Sequence, residues 1–282
     1  MSSGHALETL WEDGEFVLSR GVSDGEPLPV LSAAPSSAQP WPQTLARLQH
    51  AYTLREELDP AWAARPLKLE PHRGRLTLWI ADPGGEPLSR LLGRPWEIPS
   101  FLRVAISLAS ALGRLHERGL VHKDVKPANI LVEAETGEVW LTGFGIASRL
   151  PREHPAPVAP EVIAGTLAYM APEQTGRMNR SVDSRSDLYA LGVTFYEMLT
   201  GTLPFTAADP MEWVHCHIAR QPVAPSKRLT DVPVAISNII MKLLAKAAED
   251  RYQTAAGLES DLRHCLDDWE HQGRTSRIVT SI

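Results

Sequence analysis

The side chains best suited to chemistry lie in one segment, VHKDVKPANILV, which runs from Val121 to Val132. It places a carboxylate at Asp124, an amine at Lys126 and an amide at Asn129. Groups of these types can accept a proton, neutralise an anion and offer an oxygen to a cation. The alternative interpretation is structural, because Asp and Asn in loops commonly hydrogen-bond to nearby backbone.

The spacing in this segment resembles the catalytic loop of protein kinases, which is His-Arg-Asp followed by four residues and Asn. Lys123 stands where the family has Arg, and the Asp-x-Lys-Pro-x-Asn form is closer to the serine/threonine branch than to the tyrosine branch. Two further segments support the resemblance. GTLAYMAPE at 165–173 is similar to the end of a kinase activation segment, and SDLYALG at 186–192 is similar to the core helix that follows it.

The resemblance implies roles for four residues in phosphoryl transfer, a reaction that depends mainly on positioning and charge neutralisation. Asp124 would orient the attacking hydroxyl and accept its proton, and Lys126 would neutralise the transferring phosphate. Asn129 would offer an amide oxygen to one Mg²⁺, and Thr166 would hydrogen-bond Asp124 and Lys126. The implied cofactors are ATP and Mg²⁺, which Lys126 and Asn129 would contact.

The resemblance also predicts two supporting contacts in the carboxyl-terminal part of the chain. Asp187 is expected to hold the backbone of the catalytic loop. Arg251, within EDRYQT, is expected to pair with Glu173. Both contacts would stabilise the fold whether or not the domain catalyses a reaction.

Several residues depart from the family pattern in the part that would bind ATP. Gly143, in LTGFGIA, replaces the Asp that binds Mg²⁺, so an anionic ligand of the metal is missing. The first lysine of the chain is Lys68, so Ser32 or a neighbour occupies the place of the strand lysine that holds the phosphates. The position of the glutamate that would brace this lysine falls near His50 or Ala51, so the glutamate is missing as well.

The glycine-rich loop and the hinge also differ from the family pattern. A phosphate-binding loop needs glycines so that backbone N–H groups can approach the phosphates, and only Gly14 and Gly21 are present, at a different spacing. Gly14 is better interpreted as part of a turn that enters a strand. If Ile80 gates the pocket, Ala81 and Pro83 would supply the backbone groups for adenine, and Pro83 has no N–H to donate.

The elements that must position these residues divide at Pro83-Gly84-Gly85, which we interpret as a hinge. The predicted fold is α+β and two-lobed, with a small antiparallel sheet lobe at residues 1–84 and a larger helical lobe at 85–268. Residues 269–282 are expected to be a polar tail or a linker to a further domain.

Periodicity and turn residues predict the individual elements. In the first lobe, the predicted strands are 15–21, 27–33, 65–71 and 75–81, with turns such as Asp24-Gly25 between them, and one helix spans about 43–58. In the second lobe, helices are predicted from a cap at Ser100 to Gly119, over about 186–200 and 234–248, and from Thr254 onward. The stretch 151–164 holds four prolines and is predicted to be a loop.

Composition limits the possible partners and locations. The formal charge of −6 disfavours nucleic acid as a partner. The two cysteines, the lack of a signal-like start and the lack of a long uncharged apolar run predict a cytoplasmic protein without a membrane span. The adjacent residues His215, Cys216 and His217 do not have the spacing of a zinc site, so no metal is predicted there.

The combined pattern resembles the kinase-like module that opens very large bacterial signalling proteins. In that family an AAA-like ATPase region, a GAF-type sensor and often a histidine kinase follow, so the implied partners are proteins or neighbouring signalling domains. The main functional prediction is a pseudokinase-type regulatory domain with a degraded ATP and Mg²⁺ site. The alternative is a weakly active or unorthodox ATP-dependent serine/threonine kinase with Asp124 as base. ATP binding and the oligomeric state are left open.

Overall fold

The computed structural model describes residues 7–22, 29–149, 166–178 and 180–279, and side chains as far as 271. The predicted turn at Asp24-Gly25 and the predicted loop at 151–164 lie outside these residues. The chain forms two compact units. The first comprises Met1–Leu91, Pro127–Ala134 and Val139–Ala147, and the second comprises Leu92–Lys126, Glu135–Glu138 and Ser148–Ile282.

The first unit is built on an antiparallel sheet of five strands. The four predicted strands are present with ends shifted by no more than two residues. The amino-terminal strand was missed, because its sequence ETLWE begins and ends with glutamate and buries only Leu10. The strands are β1 (Glu8–Glu12), β2 (Phe16–Val22), β3 (Pro29–Pro35), β4 (Pro66–His72) and β5 (Arg75–Ala81). Their order in the sheet is β1-β2-β3-β5-β4.

One long helix, α1 (Pro42–Thr53), packs against this sheet and buries Leu48 and Ala51. The helix begins at Pro42. Proline is favoured at this position because the first N–H groups of a helix have no partner within it, so the missing N–H of proline costs no hydrogen bond. The prediction that the helix reaches residue 58 is wrong. The Leu54 N–H donates to the Ala51 carbonyl three residues back, and this tighter turn ends the helix.

The first unit is completed by short elements that precede the catalytic-loop segment, end it and follow it. They are β6 (Glu86–Pro87), α2 (Leu88–Leu91), β8 (Ile130–Val132) and β9 (Val139–Leu141), and the three strands form a sheet with the order β6-β8-β9. Ala63 forms an additional bridge to Leu141. The strand pair β8–β9 therefore carries Asn129 at its start and Gly143 just beyond its end.

The second unit is mainly helical, and its first long helix is α3 (Ile98–Glu117). The predicted cap at Ser100 is wrong, because Glu97 is the capping residue and Ser100 is already the third helical residue. Pro99 near the start fits the helix because the first N–H groups have no partner within the helix. The predicted end is confirmed, since the helix stops at Glu117 and Gly119 follows with a φ of +73°.

The other elements of the second unit place the remaining motifs. They are β7 (Leu120–Val121), β10 (Ser148–Arg149), α4 (Ser184–Thr200), α5 (Pro210–Ile218), α6 (Pro225–Arg228), α7 (Val234–Leu243) and α8 (Ala255–Val279). The third predicted helix ends at Leu243 rather than 248, where a separate 3-10 turn, Ala248–Asp250, begins. The last helix continues to Val279, through most of the predicted tail.

Among the described residues, one helix, Ile98–Glu117, is long and apolar enough to cross a membrane by length and composition alone. In this fold 61% of the relevant window is buried inside the protein. Phe101, Leu108 and Leu112 are among its residues with no exposed surface. The helix therefore has the burial expected of a core helix. Core helices also meet the length and hydropathy criteria for a membrane span.

Candidate active site

The backbone of the catalytic-loop segment is held by one buried carboxylate. Asp187, near the start of α4, accepts hydrogen bonds from the backbone N–H groups of His122 and Lys123, each at 2.8 Å. The ring nitrogen Nε2 of His116 lies 2.9 Å from the same carboxylate. The predicted role of Asp187 is confirmed. These contacts hold Lys123 at a φ of +67°, a conformation that is uncommon for a residue with a side chain.

A polar cluster lies next to this backbone, with two of its side chains at positions 124 and 126 of the same loop. The Lys126 ammonium donates to the Thr166 hydroxyl at 2.7 Å and lies 3.3 Å from the Asp124 carboxylate. The Thr166 backbone N–H contacts the other Asp124 oxygen at 3.4 Å. The predicted contacts of Thr166 are therefore present. Asp124, Lys126 and Thr166, which we call the acceptor cluster, bring together a carboxylate, an ammonium and a hydroxyl.

The turn after Thr166 is fixed by the helical core. Leu167–Tyr169 forms a 3-10 turn, and the Tyr169 hydroxyl donates to the Glu197 carboxylate of α4 at 2.5 Å. Burial raises the pKa of the Tyr169 hydroxyl, so Tyr169 stays neutral and remains a donor at physiological pH. Burial also raises the pKa of the Glu197 carboxylate, although the hydrogen bond from Tyr169 opposes this shift. The Gln174 side chain donates to the Lys123 carbonyl at 2.8 Å. These contacts position the acceptor cluster, and no motif in the sequence indicates them.

A second anchor is the pair formed by Glu173 and Arg251. The two guanidinium nitrogens Nη1 and Nη2 donate to the two carboxylate oxygens at 2.7 and 2.9 Å. Both side chains are at most 2% exposed. The Ser186 hydroxyl donates to the same carboxylate at 2.7 Å. The predicted pair is confirmed, and it stabilises the unit that carries the acceptor cluster.

The first unit holds the residues that the resemblance assigns to the metal. Gly143 has φ +78° and ψ 36°, in the left-handed region that favours glycine. A Cβ built on Gly143 would lie 2.4–2.6 Å from the side-chain atoms of Asn129. The Asn129 amide therefore occupies the space that any side chain at position 143 would need.

This arrangement tests whether residues 129 and 143 fit a magnesium ion. Mg²⁺ is usually held in proteins through one or two carboxylates together with substrate phosphates and waters. Asn129 offers a neutral amide, and Gly143 offers no side chain. Among the described residues, there is also no cluster of three His, Cys, Asp or Glu side chains that could hold a metal. The pair does not fit a magnesium ion in the way that the resemblance implies.

The positions predicted for the missing lysine and glutamate are used for other contacts. Ser32 is 4% exposed in β3, and its hydroxyl contacts the Ser19 carbonyl at 3.5 Å. His50 points its Nε2 to the carbonyl of Ala147 at 2.6 Å. Ala51 is buried in the helix face that packs on the sheet. Ser32 and His50 therefore do not form a lysine–glutamate pair or a substitute for one.

The segment around Pro83-Gly84-Gly85, which the sequence predicts to be a hinge, is contacted by an arginine that no sequence motif indicates. The Arg20 guanidinium donates to both oxygens of Asp82, at 2.6 and 3.2 Å, and to the Gly85 carbonyl at 2.6 Å. It also contacts Glu86 at 3.1 Å. The Ala81 N–H donates to the Arg65 carbonyl at 2.9 Å, so it is not available to a ligand. The role of Ala81 in adenine binding stays a prediction.

A buried histidine lies beneath the turn that follows Thr166. His217 of α5 is 1% exposed, and its Nδ1 lies 2.9 Å from the Tyr189 hydroxyl. Burial, followed by the nearby charge of Lys246, lowers the pKa of His217 to about 4. His217 is therefore neutral at physiological pH. The neighbouring Cys216 is buried as a free thiol.

Comparison with known proteins agrees with this geometry. Residues 94–262, more than half of the chain, match the family model of the protein kinase domain. The chain belongs to the protein kinase family. Its antiparallel sheet lobe and helical lobe are those of a kinase domain, as the sequence predicted. Protein kinases in general use ATP and Mg²⁺.

Two bacterial serine/threonine-protein kinases are among the proteins that the chain resembles. The chain is 38% identical over 161 residues to the serine/threonine-protein kinase PknB of Mycobacterium tuberculosis, which covers 57% of this chain and 25% of PknB. It is 39% identical over 199 residues to the serine/threonine-protein kinase Pkn1 of Myxococcus xanthus, which covers 70% of this chain and 28% of Pkn1. The matched regions therefore span about a quarter of the length of these curated relatives.

Proposed function

We propose that this kinase domain is a pseudokinase-type signalling module, in which the acceptor cluster is retained and the metal-binding side is degraded. The contact between Asn129 and Gly143 carries the proposal. A metal-binding carboxylate at position 143 would collide with the amide that fills its place. Loss of one preorganised charge contact in a transition state typically costs about 3–4 kcal/mol, or roughly 10²–10³ in rate.

The sheet supports the same proposal. Ser32 is buried where the family places its phosphate-binding lysine or next to that place, and no lysine precedes Lys68. A hydroxyl cannot replace an ammonium as a counter-charge for phosphates. The loss of both the cation and the metal ligand would weaken nucleotide binding as well as the reaction.

The second candidate is a slow or unorthodox serine/threonine kinase. It is favoured by the acceptor cluster, because Asp124, Lys126 and Thr166 lie in the mutual contacts that the transfer of phosphate to a hydroxyl needs. The comparisons favour this candidate over the first, since the matched relatives are named serine/threonine-protein kinases. In this case Asp124 would accept the proton of a protein hydroxyl. The rate of phosphoryl transfer would be low because position 143 offers no metal ligand.

The signalling context is part of the proposal. We propose that the module acts on or through a protein partner or a neighbouring signalling domain. The predicted cytoplasmic location belongs to the same proposal.

A phosphoryl-transfer assay separates the two candidates. The full chain is incubated with γ-labelled ATP, Mg²⁺ and a generic basic protein substrate, beside a D124N variant prepared in parallel. The pseudokinase proposal predicts equal, background labelling for both proteins. Labelling by the native chain that D124N removes would establish the slow kinase and overturn the first proposal.

A further inference from the structure

We propose that helix α1 links the β1–β2 turn to the segment 143–147. We further propose that an ion pair between Glu15 and Arg47 keeps these three parts in contact when no ligand is bound. The link joins three parts of the first unit that are distant in sequence. It does not depend on whether the domain transfers phosphate. Its members are Glu15, Thr44, Arg47, His50 and Gly145.

At the turn, Glu15 is presented to the helix by a local side-chain contact. The Asp13 carboxylate accepts hydrogen bonds from the backbone N–H groups of Glu15 and Phe16, at 2.8 and 2.7 Å. This contact fixes a three-residue turn between the two strands. The Glu15 side chain then points away from the strand ladder toward the first turns of α1.

Both carboxylate oxygens of Glu15 contact α1. One oxygen accepts a hydrogen bond from the Thr44 hydroxyl at 3.0 Å, and the other forms an ion pair with the Arg47 guanidinium. Thr44 is 5% exposed and is the third residue of the helix. A carboxylate near a helix amino terminus is also favoured by the helix dipole. Glu15 and Arg47 are about one-third and one-quarter exposed, so the pair is shielded only in part.

The same helix contacts the segment that contains Gly143. A Cβ at Gly145 would lie 3.0 Å from the Cβ of Arg47, so residue 145 must stay small for Arg47 to remain in place. One turn further along, His50 Nε2 lies 2.6 Å from the Ala147 carbonyl. Arg47 therefore contacts the β1–β2 turn through its guanidinium, and it packs against the 143–147 segment through its Cβ.

This shared residue makes the link a conformational device. If the ion pair with Glu15 is lost, the Arg47 guanidinium is released, and only the Thr44 hydroxyl still joins α1 to the Glu15 side chain. Because α1 is a single 12-residue helix, a shift at Arg47 is passed to His50 and from there to Ala147. A partner that draws Glu15 away from Arg47 would therefore loosen the 143–147 segment.

Amide hydrogen exchange of the full chain tests the link. The variant E15Q keeps a hydrogen-bond acceptor for Thr44 but removes the charge that pairs with Arg47. The expected result is faster exchange, by about two- to fivefold, in both Pro42–Thr53 and residues 143–147, with α4 unchanged. E56Q is the matched control, because Glu56 pairs with Arg65 at an exposed site beyond the end of α1. It should leave both segments unchanged.

A pair of variants at Arg47 keeps the test decisive if E15Q folds poorly. R47K retains the charge and is expected to keep the exchange of residues 143–147 within about twofold of the native rate. R47Q removes the charge and should reproduce the faster exchange of E15Q. In the double variant E15Q/R47Q, exchange at 143–147 should be no faster than in either single variant. Faster exchange that is confined to residues 13–15, or additive effects in the double variant, would overturn the proposal.

Discussion

The guanidinium of Arg251 and the carboxylate of Glu173 form a two-point ion pair across 78 positions of the sequence, and neither side chain is more than 2% exposed. The pair joins the end of the activation segment to the turn before α8. The Tyr189 ring lies against the guanidinium, 4.8 Å from centroid to Cζ. Water is therefore excluded from both charges, and each depends on the other.

Removing one partner of this pair should destabilise the domain strongly. We expect E173Q to lower the free energy of unfolding by about 3–5 kcal/mol, because the Arg251 charge is left buried without a counter-ion. Denaturant unfolding followed by circular dichroism measures this. The control is E259Q, which breaks the surface pair with Arg263 and should cost less than about 0.5 kcal/mol. Similar losses for both variants would contradict the structural role of the buried pair.

Asp187 should control the order of the catalytic-loop backbone. In D187N, one carboxylate oxygen becomes an NH₂ group, which cannot accept the hydrogen bond from His122 or Lys123. The expected loss of stability is about 1–3 kcal/mol, with faster amide exchange at whichever of these two residues loses its acceptor. Exchange at α8 serves as the internal reference. Unchanged exchange at His122 and Lys123 would show that other contacts hold the loop.

The contact between Gly143 and Asn129 should appear as an energetic coupling. G143A forces a side chain into a left-handed conformation and against the Asn129 amide, so we expect a loss of about 1–3 kcal/mol. In an N129A background the crowding is relieved, and G143A should cost at least about 0.5 kcal/mol less. Thermal unfolding of the four proteins of this cycle gives the coupling. Additive losses would mean that Asn129 does not occupy the space of a side chain at 143.

The sequence predicted features that depend on local pattern or on a motif with fixed geometry. The strands from β2 to β5, the end of α3 at Gly119 and the two anchors at Asp187 and Glu173 all agree with the structure. The start of α3 was misplaced because Ser100 is a good capping residue, yet Pro99 just before it already lies in the helix. Local preference alone could not decide between these two signals.

Contacts between distant residues could not be read from the sequence. Glu15 and Arg47 are 32 positions apart, and nothing in their local patterns indicates that they meet. The family pattern places an acidic residue on α1, whereas in this structure the acid, Glu15, lies on the β1–β2 turn and its basic partner, Arg47, lies on the helix. The position of the Asn129 amide likewise depends on the packing of β8 and β9.

His217 should contribute a distinct pH dependence to stability. Its pKa is lowered from 6.5 to about 4 in the fold, so between these values the unfolded chain binds the proton and the folded chain does not. The stabilising contribution is therefore complete above about pH 6.5 and is lost as the pH falls toward 4, by roughly 3 kcal/mol. The difference in unfolding free energy between the native protein and H217Q should narrow over this range. A constant difference from pH 7 to pH 4 would contradict a neutral, buried His217.

The binding of magnesium–ATP tests the central claim most directly, because the structure places a neutral amide where the family has a metal-binding carboxylate. The melting temperature of the full chain is measured with and without millimolar Mg²⁺–ATP, and again with EDTA. The account predicts no change in melting temperature under any of these conditions. A ligand at 100 times its dissociation constant would stabilise the fold by about 2.7 kcal/mol and raise the melting temperature by several degrees. A rise of that size, with or without EDTA, would contradict the account.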